Sequence, residues 1–215
     1  MAPMAPISAP GVALTFDDGP GPYTAELLDT LDSYGARATF FDVGENVVAR
    51  PELVRRQAGA GHEIGNHSWS HPRLTGLGAE RLREEIDRTS AAIGEVTGTA
   101  PRLLRPPFGE HDERVREAAG MPLIMWSVDP EDWRVRDTAH VTRAVLDRVR
   151  PGDVVLMHDI QRTTVAAVPE ILRVLSGRGY RFVTVSELYA GPDGGALLPG
   201  AVYDRPGGAA PAPAG

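Results

Sequence analysis

The chain of 215 residues contains no cysteine and no lysine. Without cysteine there is neither a disulfide nor a thiolate metal site, so any bound ion must be held by histidine, carboxylate or water. Without lysine there is no Schiff base and no ammonium nucleophile, and all 22 basic residues are arginine. Positive charge is short overall: the formal net charge is −7. With no dominant basic stretch, nucleic acid is not an expected partner, because binding by phosphate neutralisation needs clustered cations. Long apolar runs are missing too. No stretch approaches the roughly 18 residues that would cross a bilayer, so no membrane span is expected in this chain. The start, Met1 to Pro6, carries no charged segment followed by an apolar one and therefore no signal-peptide pattern.

What is present suits one domain with a full core: 42% hydrophobic and 24% charged residues. Short apolar runs alternate with helical patterns. The candidate strands are Val12 to Phe16, Ala38 to Val43, His62 to Gly65, Leu103 to Leu104, Pro122 to Val128, Val154 to Met157 and Tyr180 to Val185. Between them, Tyr23 to Tyr34 places Leu27, Leu28 and Leu31 on one face, Pro51 to Ala58 opens on proline, and Ala79 to Val96 carries Leu82, Ile86 and Ile93 at helical spacing. Gly35, Gly59, Gly120 and Gly179 stand where helices need a left-handed C-cap. Such a rhythm implies a parallel sheet with right-handed crossovers, either open or closed. Chemically distinctive residues fall after successive strands: Asp17 and Asp18, His67, Arg105, Asp129 to Trp133, and His158. That placement favours an α/β fold, a distorted (β/α)-barrel of about seven parallel strands in a single domain. Residues 1–10 read as a linker or trimmed N-terminus and 11–189 as the domain. Residues 190–215 read as a Gly/Ala/Pro-rich tail, partly extended or disordered, in which Leu197, Leu198, Val202 and Tyr203 pack locally.

Two features point to chemistry. Asp17 and Asp18 end the first apolar run, and adjacent carboxylates at a strand end splay apart, so one can face a metal and the other a substrate or water. His67 and His71, in Asn66-His67-Ser68-Trp69-Ser70-His71-Pro72, are spaced so that one turn or helical arc could aim both imidazoles at one ion. Taken alone, that spacing also occurs in surface and capping pairs, and Asp-Gly-Pro favours a turn. Together they make a 2-His-1-carboxylate set with positions left open, suited to catalytic zinc and also to non-haem iron.

These residues belong to a longer series. Thr15-Phe16-Asp17-Asp18-Gly19, His67-Ser68-x-x-His71, Arg105-Pro106-Pro107-Phe108-Gly109, Asp129-x-x-Asp132-Trp133 and Leu156-Met157-His158 resemble, in order and spacing, the five motifs of the polysaccharide deacetylases (carbohydrate esterase family 4, the NodB homology domain). The resemblance implies that Asp18, His67 and His71 hold a divalent metal, most simply zinc, with cobalt or nickel as alternatives. It implies that Asp17 is the general base, held by Arg105. His158 would be the general acid, with Asp132 as its orienting partner, and the Phe108 backbone N–H a donor to the oxyanion. Trp133 and Leu156 would wall the acetyl slot. Asp129 would support Arg105 or its own loop, and His62, His111 and His140 would be structural or solvent-facing. Pro122, just before a strand, is a mild departure.

The activity implied is metal-dependent removal of N-acetyl groups from N-acetylglucosamine units of a chitin-like or peptidoglycan glycan. The rivals are an O-deacetylase acting on acetylated xylan and a catalytically silent glycan-binding domain. The protein is expected to be a monomer whose partner is its glycan, and the substrate class implies a secreted or cell-wall location.

Overall fold

The computed structural model describes residues 10–190 and 195–206. The strands are β1 (Gly11–Asp17), β2 (Thr39–Asp42), β3 (Glu63–Asn66), β4 (Leu123–Ile124), β5 (Val154–His158), β6 (Arg181–Phe182) and β7 (Val202–Tyr203). The helices are α1 (Thr24–Ser33), α2 (Gly44–Ala49), α3 (Pro51–Gly59), α4 (Ala79–Thr97), α5 (Glu113–Ala119), α6 (Thr138–Arg148), α7 (Arg162–Val165), α8 (Val168–Gly177) and α9 (Val185–Tyr189). Two 3₁₀ turns, Leu74–Gly76 and Pro107–Gly109, lie between them.

β1 is the hub. From Val12 onward all of its residues are buried, as expected of a parallel strand covered on both faces. It pairs in parallel with β2, β5 and β6. β3 extends the sheet beyond β2, giving the order β3-β2-β1-β5 with β6 also on β1. The α/β class with parallel strands therefore stands, but its ladders are uneven. The expected strand at Leu103–Leu104 shrinks to single bridges from Leu104 to Asn66 and to Leu123, and the run Pro122 to Val128 keeps only β4 and a bridge from Val128 to Val155. Backbone hydrogen bonds still cross this arc, among them Arg105 N–H to Asn66, Ile124 N–H to Leu104 and Leu156 N–H to Val128, but they do not run on into longer strands.

Helices cover the sheet through their apolar stripes. α1 buries Leu27, Leu28 and Leu31, and α8 buries Val168, Ile171, Leu172 and Leu175, all in one cluster with Leu14, Phe16 and Phe40. Local chemistry sets several helix starts. The Asp112 and Asp137 carboxylates accept from the Val115 and His140 N–H groups at α5 and α6, and Thr184 with Glu187 forms a reciprocal capping box at α9. Among the expected C-cap glycines, Gly35, Gly120 and Gly179 have positive φ. Gly59 does not: it is the last residue of α3, and Gly61, at φ 80°, makes the left-handed turn after one more residue.

Part of the tail rejoins the fold. Residues 1–9, 191–194 and 207–215 lie outside the described residues, but Pro10 already joins the fold by accepting from the Arg181 N–H, and residues 195–206 return to the sheet. β7 pairs with β4, the Met125 N–H donating to the Tyr203 carbonyl at 2.7 Å. The Leu123 and Met125 N–H groups on this side need acceptors, and the Ala201 and Tyr203 carbonyls supply them. Leu197 and Tyr203 pack against the cluster around Ile124 and Leu188, and Val202 packs near Leu123, whereas Leu198 stays exposed. Among the described residues no helix is long and apolar enough to cross a membrane.

Candidate active site

Asp17 is the last residue of β1, and Asp18, at φ 71°, leaves the strand in the left-handed region. The adjacent carboxylates therefore diverge. Asp17, buried, accepts from Arg105 Nη1 at 2.8 Å. Asp18 Oδ1 instead lies 3.4 Å from His67 Nε2 and 3.2 Å from His71 Nε2.

Arg105 is fully buried, and its donors are matched one by one. Nε donates to the Ile124 carbonyl at 2.9 Å, Nη1 to Thr15 Oγ1 at 2.7 Å as well as to Asp17, and Nη2 to the Met125 carbonyl at 2.8 Å. Its guanidinium lies over the Phe41 ring, 4.2 Å from the centroid. Gly65 makes room for that ring: a Cβ there would fall 2.5 Å from it. A buried guanidinium whose other donors go to neutral oxygens keeps its charge for the one carboxylate it meets.

The two histidines sit on a loop after β3, not on a helical arc. Ser68 and His71 both have positive φ, 65° and 57°. His67 Nδ1 meets the Arg105 carbonyl at 2.6 Å. A carbonyl can only accept, so Nδ1 carries the proton and Nε2 presents a lone pair toward Asp18. Burial lowers the His71 pKa.

Across the cleft, His158 ends β5. Its Nδ1 donates to Asp132 Oδ1 at 2.8 Å, while Asp132 Oδ2 accepts from the His158 N–H and from Thr164 Oγ1. Burial opposes the charge on this imidazole, but Asp132 outweighs it, with help from Asp17 and Asp18, and the pKa rises to about 9.

A cleft of about 400 Å³ brings the anticipated residues together. Its lining includes Asp17, Asp18, His67, His71, His158, Phe108, Trp133 and Leu156. Arg105 and Asp132 stand behind this surface, each bonded to a lining residue. Phe108, at φ 61°, turns its ring against His71 with centroids 4.7 Å apart, and its ring and Trp133 are about half exposed. Leu156 is buried. Asp129 accepts from the Glu131 N–H at 2.7 Å, so it supports its own loop and not Arg105. His62 is a core residue whose Nδ1 accepts from the Ala38 N–H, and burial lowers its pKa to about 4.

The residue reading passed over several neighbours of the site, Trp126 and Asp159 among them. Trp126 lines the cleft. Asp159, fully buried, accepts from Thr24 Oγ1, and burial raises its carboxyl pKa to about 7. It follows His158 directly, and that adjacency was the available signal. A Cβ on Gly19 would lie 2.5 Å from its carboxylate, so the glycine after the two aspartates is what admits Asp159.

The donor set fits a divalent cation. One ligand atom each from Asp18, His67 and His71 lies within 4.8 Å of the others. Asp18 Oδ1 is buried and makes no hydrogen bond, although two ring nitrogens face it. A buried carboxylate oxygen opposed by an imidazole lone pair is costly unless a cation lies between them. Burial pushes the Asp18 pKa up, and positive charge among the facing imidazoles, His67 first, outweighs it and brings the carboxyl to about 2; a cation seated between them would act in the same direction.

The polysaccharide deacetylase family model matches residues 6–121. The chain is 45% identical over 179 residues to the peptidoglycan-N-acetylglucosamine deacetylase PgdA of Listeria monocytogenes, an overlap covering 83% of this chain and 38% of that protein. It is 42% identical over 178 residues to the peptidoglycan-N-acetylmuramic acid deacetylase PdaC of Bacillus subtilis, covering 82% and 38%. The chain thus spans well under half the length of these two curated relatives. In structure it is similar to a family 4 acetyl xylan esterase from Clostridium thermocellum in complex with cobalt, with a TM-score of 0.85, 35% identity, and coverage of 91% of this chain and 98% of that one. The chain belongs to the polysaccharide deacetylase family.

Proposed function

We propose that the protein is a metal-dependent deacetylase that removes N-acetyl groups from peptidoglycan, acting on N-acetylglucosamine units. The observation that carries this reading is the meeting, in one cleft, of an arginine-held carboxylate, a three-ligand metal set and a histidine backed by a buried carboxylate. A glycan-binding domain needs none of the three. The Listeria and Bacillus relatives support the peptidoglycan substrate. On this reading the enzyme works at the cell wall.

Asp18, His67 and His71 would hold the cation, zinc first and cobalt or nickel as substitutes. When bound, it would supply Lewis acidity to the attacking water and the acetyl carbonyl. Asp17, kept ionised and aimed by Arg105, takes the proton of the attacking water. The oxyanion that develops as the C–O bond forms accepts from the Phe108 backbone N–H. The Nδ1–H of His158 is committed to Asp132, so Nε2 carries the transferable proton. It passes to the sugar nitrogen as the C–N bond breaks, releasing acetate and a free amine. Trp133 and Leu156 wall the methyl slot.

The likeness to the xylan esterase favours O-deacetylation of xylan as the second reading. An alkoxide leaves more easily than an amine, so that reaction leans less on His158. The deciding experiment is acetate release from peptidoglycan, chitin oligosaccharides and acetylxylan by chelator-treated protein, before and after return of zinc, cobalt or nickel. Metal-restored release from an aminosugar glycan is expected. Release from xylan alone makes it an esterase, and glycan binding with no release anywhere makes it a binding domain.

A further inference from the structure

On α4, Leu82, Glu85, Ile86, Thr89, Ala92 and Ile93 form the buried face. Five of them are apolar or nearly so. Glu85 is a carboxylate at a core position with no exposed surface, which is unfavourable unless every lone pair is used. They are used. Oε2 accepts from the backbone N–H groups of Trp69 at 2.9 Å and Ser70 at 2.8 Å, and Oε1 accepts from Ser70 Oγ at 2.9 Å and from Arg81 Nη2 at 2.7 Å. Trp69 and Ser70 lie within the segment joining His67 to His71.

We infer that Glu85 is a positioning residue for the metal centre, holding from the neighbouring helix the loop that presents both histidines. The loop needs such a hold, because Ser68 and His71 stand in the left-handed region that side chains of L-residues disfavour, and no ladder pairs the N–H groups between them. Other bonds fix its first half: Asn66 Oδ1 accepts from the Ser68 N–H, and the Gly44 and Glu45 N–H groups at the start of α2 donate to the Ser68 and Trp69 carbonyls. At the far end Ser68 Oγ accepts from the His71 N–H at 3.1 Å, and Glu85 holds the stretch between, at Trp69 and Ser70. It is 14 residues beyond His71, contacts neither imidazole in any of these bonds, and meets the loop only at Trp69 and Ser70.

This inference rests on the metal-site reading above, and its test is read on metal binding, independently of turnover. The metal affinity of the full chain and of Glu85→Gln and Glu85→Ala is measured by competition with a chelator. The visible spectrum of the cobalt-loaded forms and the melting temperature of the metal-free forms are recorded alongside. Glu85→Gln keeps the volume and one acceptor, so it folds even where Glu85→Ala does not. The expected result is a loss of about 10- to 100-fold in affinity with an altered cobalt spectrum, the size seen when outer partners of metal ligands are changed. Glu85→Asp, which keeps the charge, should recover part of the loss. Wild-type affinity and spectrum in Glu85→Gln, with only a lower melting temperature, would overturn the inference and leave the metal centre standing. A wild-type chain that binds no divalent ion would overturn both.

Discussion

The two sides of the cleft use the same side chain for opposite ends. His67 and His158 both anchor Nδ1 in a short hydrogen bond, at 2.6 Å and 2.8 Å, and both point Nε2 into the cleft. Only the acceptor differs. Behind His67 stands a neutral carbonyl, which fixes the tautomer and leaves Nε2 a lone pair to offer a cation. Behind His158 stands the Asp132 carboxylate, which favours the imidazolium and leaves Nε2 a proton to give. On the proposed reading, the partner one bond away, more than the histidine itself, separates ligand from acid.

The largest expected effect comes from breaking the ligand side. His67→Ala should remove metal from the purified protein and bring acetate release to the detection floor, with no rescue by added zinc. Asp17→Asn should be equally silent yet keep its metal. Metal content and release, measured together, separate ligand from base, and an active Asp17→Asn would sink the base assignment.

Breaking the acid side should cost roughly 10²- to 10⁴-fold on an amide, the usual size of a general-acid contribution, and distinctly less on an acetyl ester. The kcat of His158→Ala on both substrates checks it. Equal losses on the two would show that His158 does something other than protonate the leaving group.

A finer cut turns one side into the other. Asp132→Asn replaces the carboxylate behind His158 with a neutral oxygen, as behind His67. In the wild type the acid form persists up to about pH 9. The basic limb of the kcat profile should fall there, and in the variant it should move down toward the ordinary histidine value of 6.5. The stability linkage has the same sign. A histidine whose folded pKa is raised stabilises the fold fully below 6.5 and loses that contribution as pH rises through about 9. The melting-temperature gap between wild type and Asp132→Asn should therefore narrow between those limits.

The smallest effect is a control far from the cleft. Thr184→Ala removes the hydroxyl half of the capping box on α9 and should cost about 1 kcal/mol in denaturant unfolding while leaving kcat unchanged.

Much of this comparison was legible in the chain. Asp17, Asp18, His67, His71 and His158 are chemically unmistakable residue types at the ends of apolar runs, and β1 was readable because a strand buried on both faces is a continuous hydrophobic run. Glu85 was not singled out, although its place among Leu82, Ile86 and Ile93 marks a charge on a buried stripe. The pairing of β7 with β4 was illegible for a physical reason: two-residue strands carry no periodicity, and their partners lie far apart along the chain.

Residue order alone sets the inventory: no thiolate, no lysine, a βα rhythm, and the succession of carboxylates and histidines along it. The tertiary structure decided what each of them faces. Arg105 reaches Asp17 across 88 positions and His67 meets the Arg105 carbonyl across 38. Tautomer, charge and aim are set by such neighbours, and which residues become neighbours is fixed only when the helices bury their stripes against the sheet.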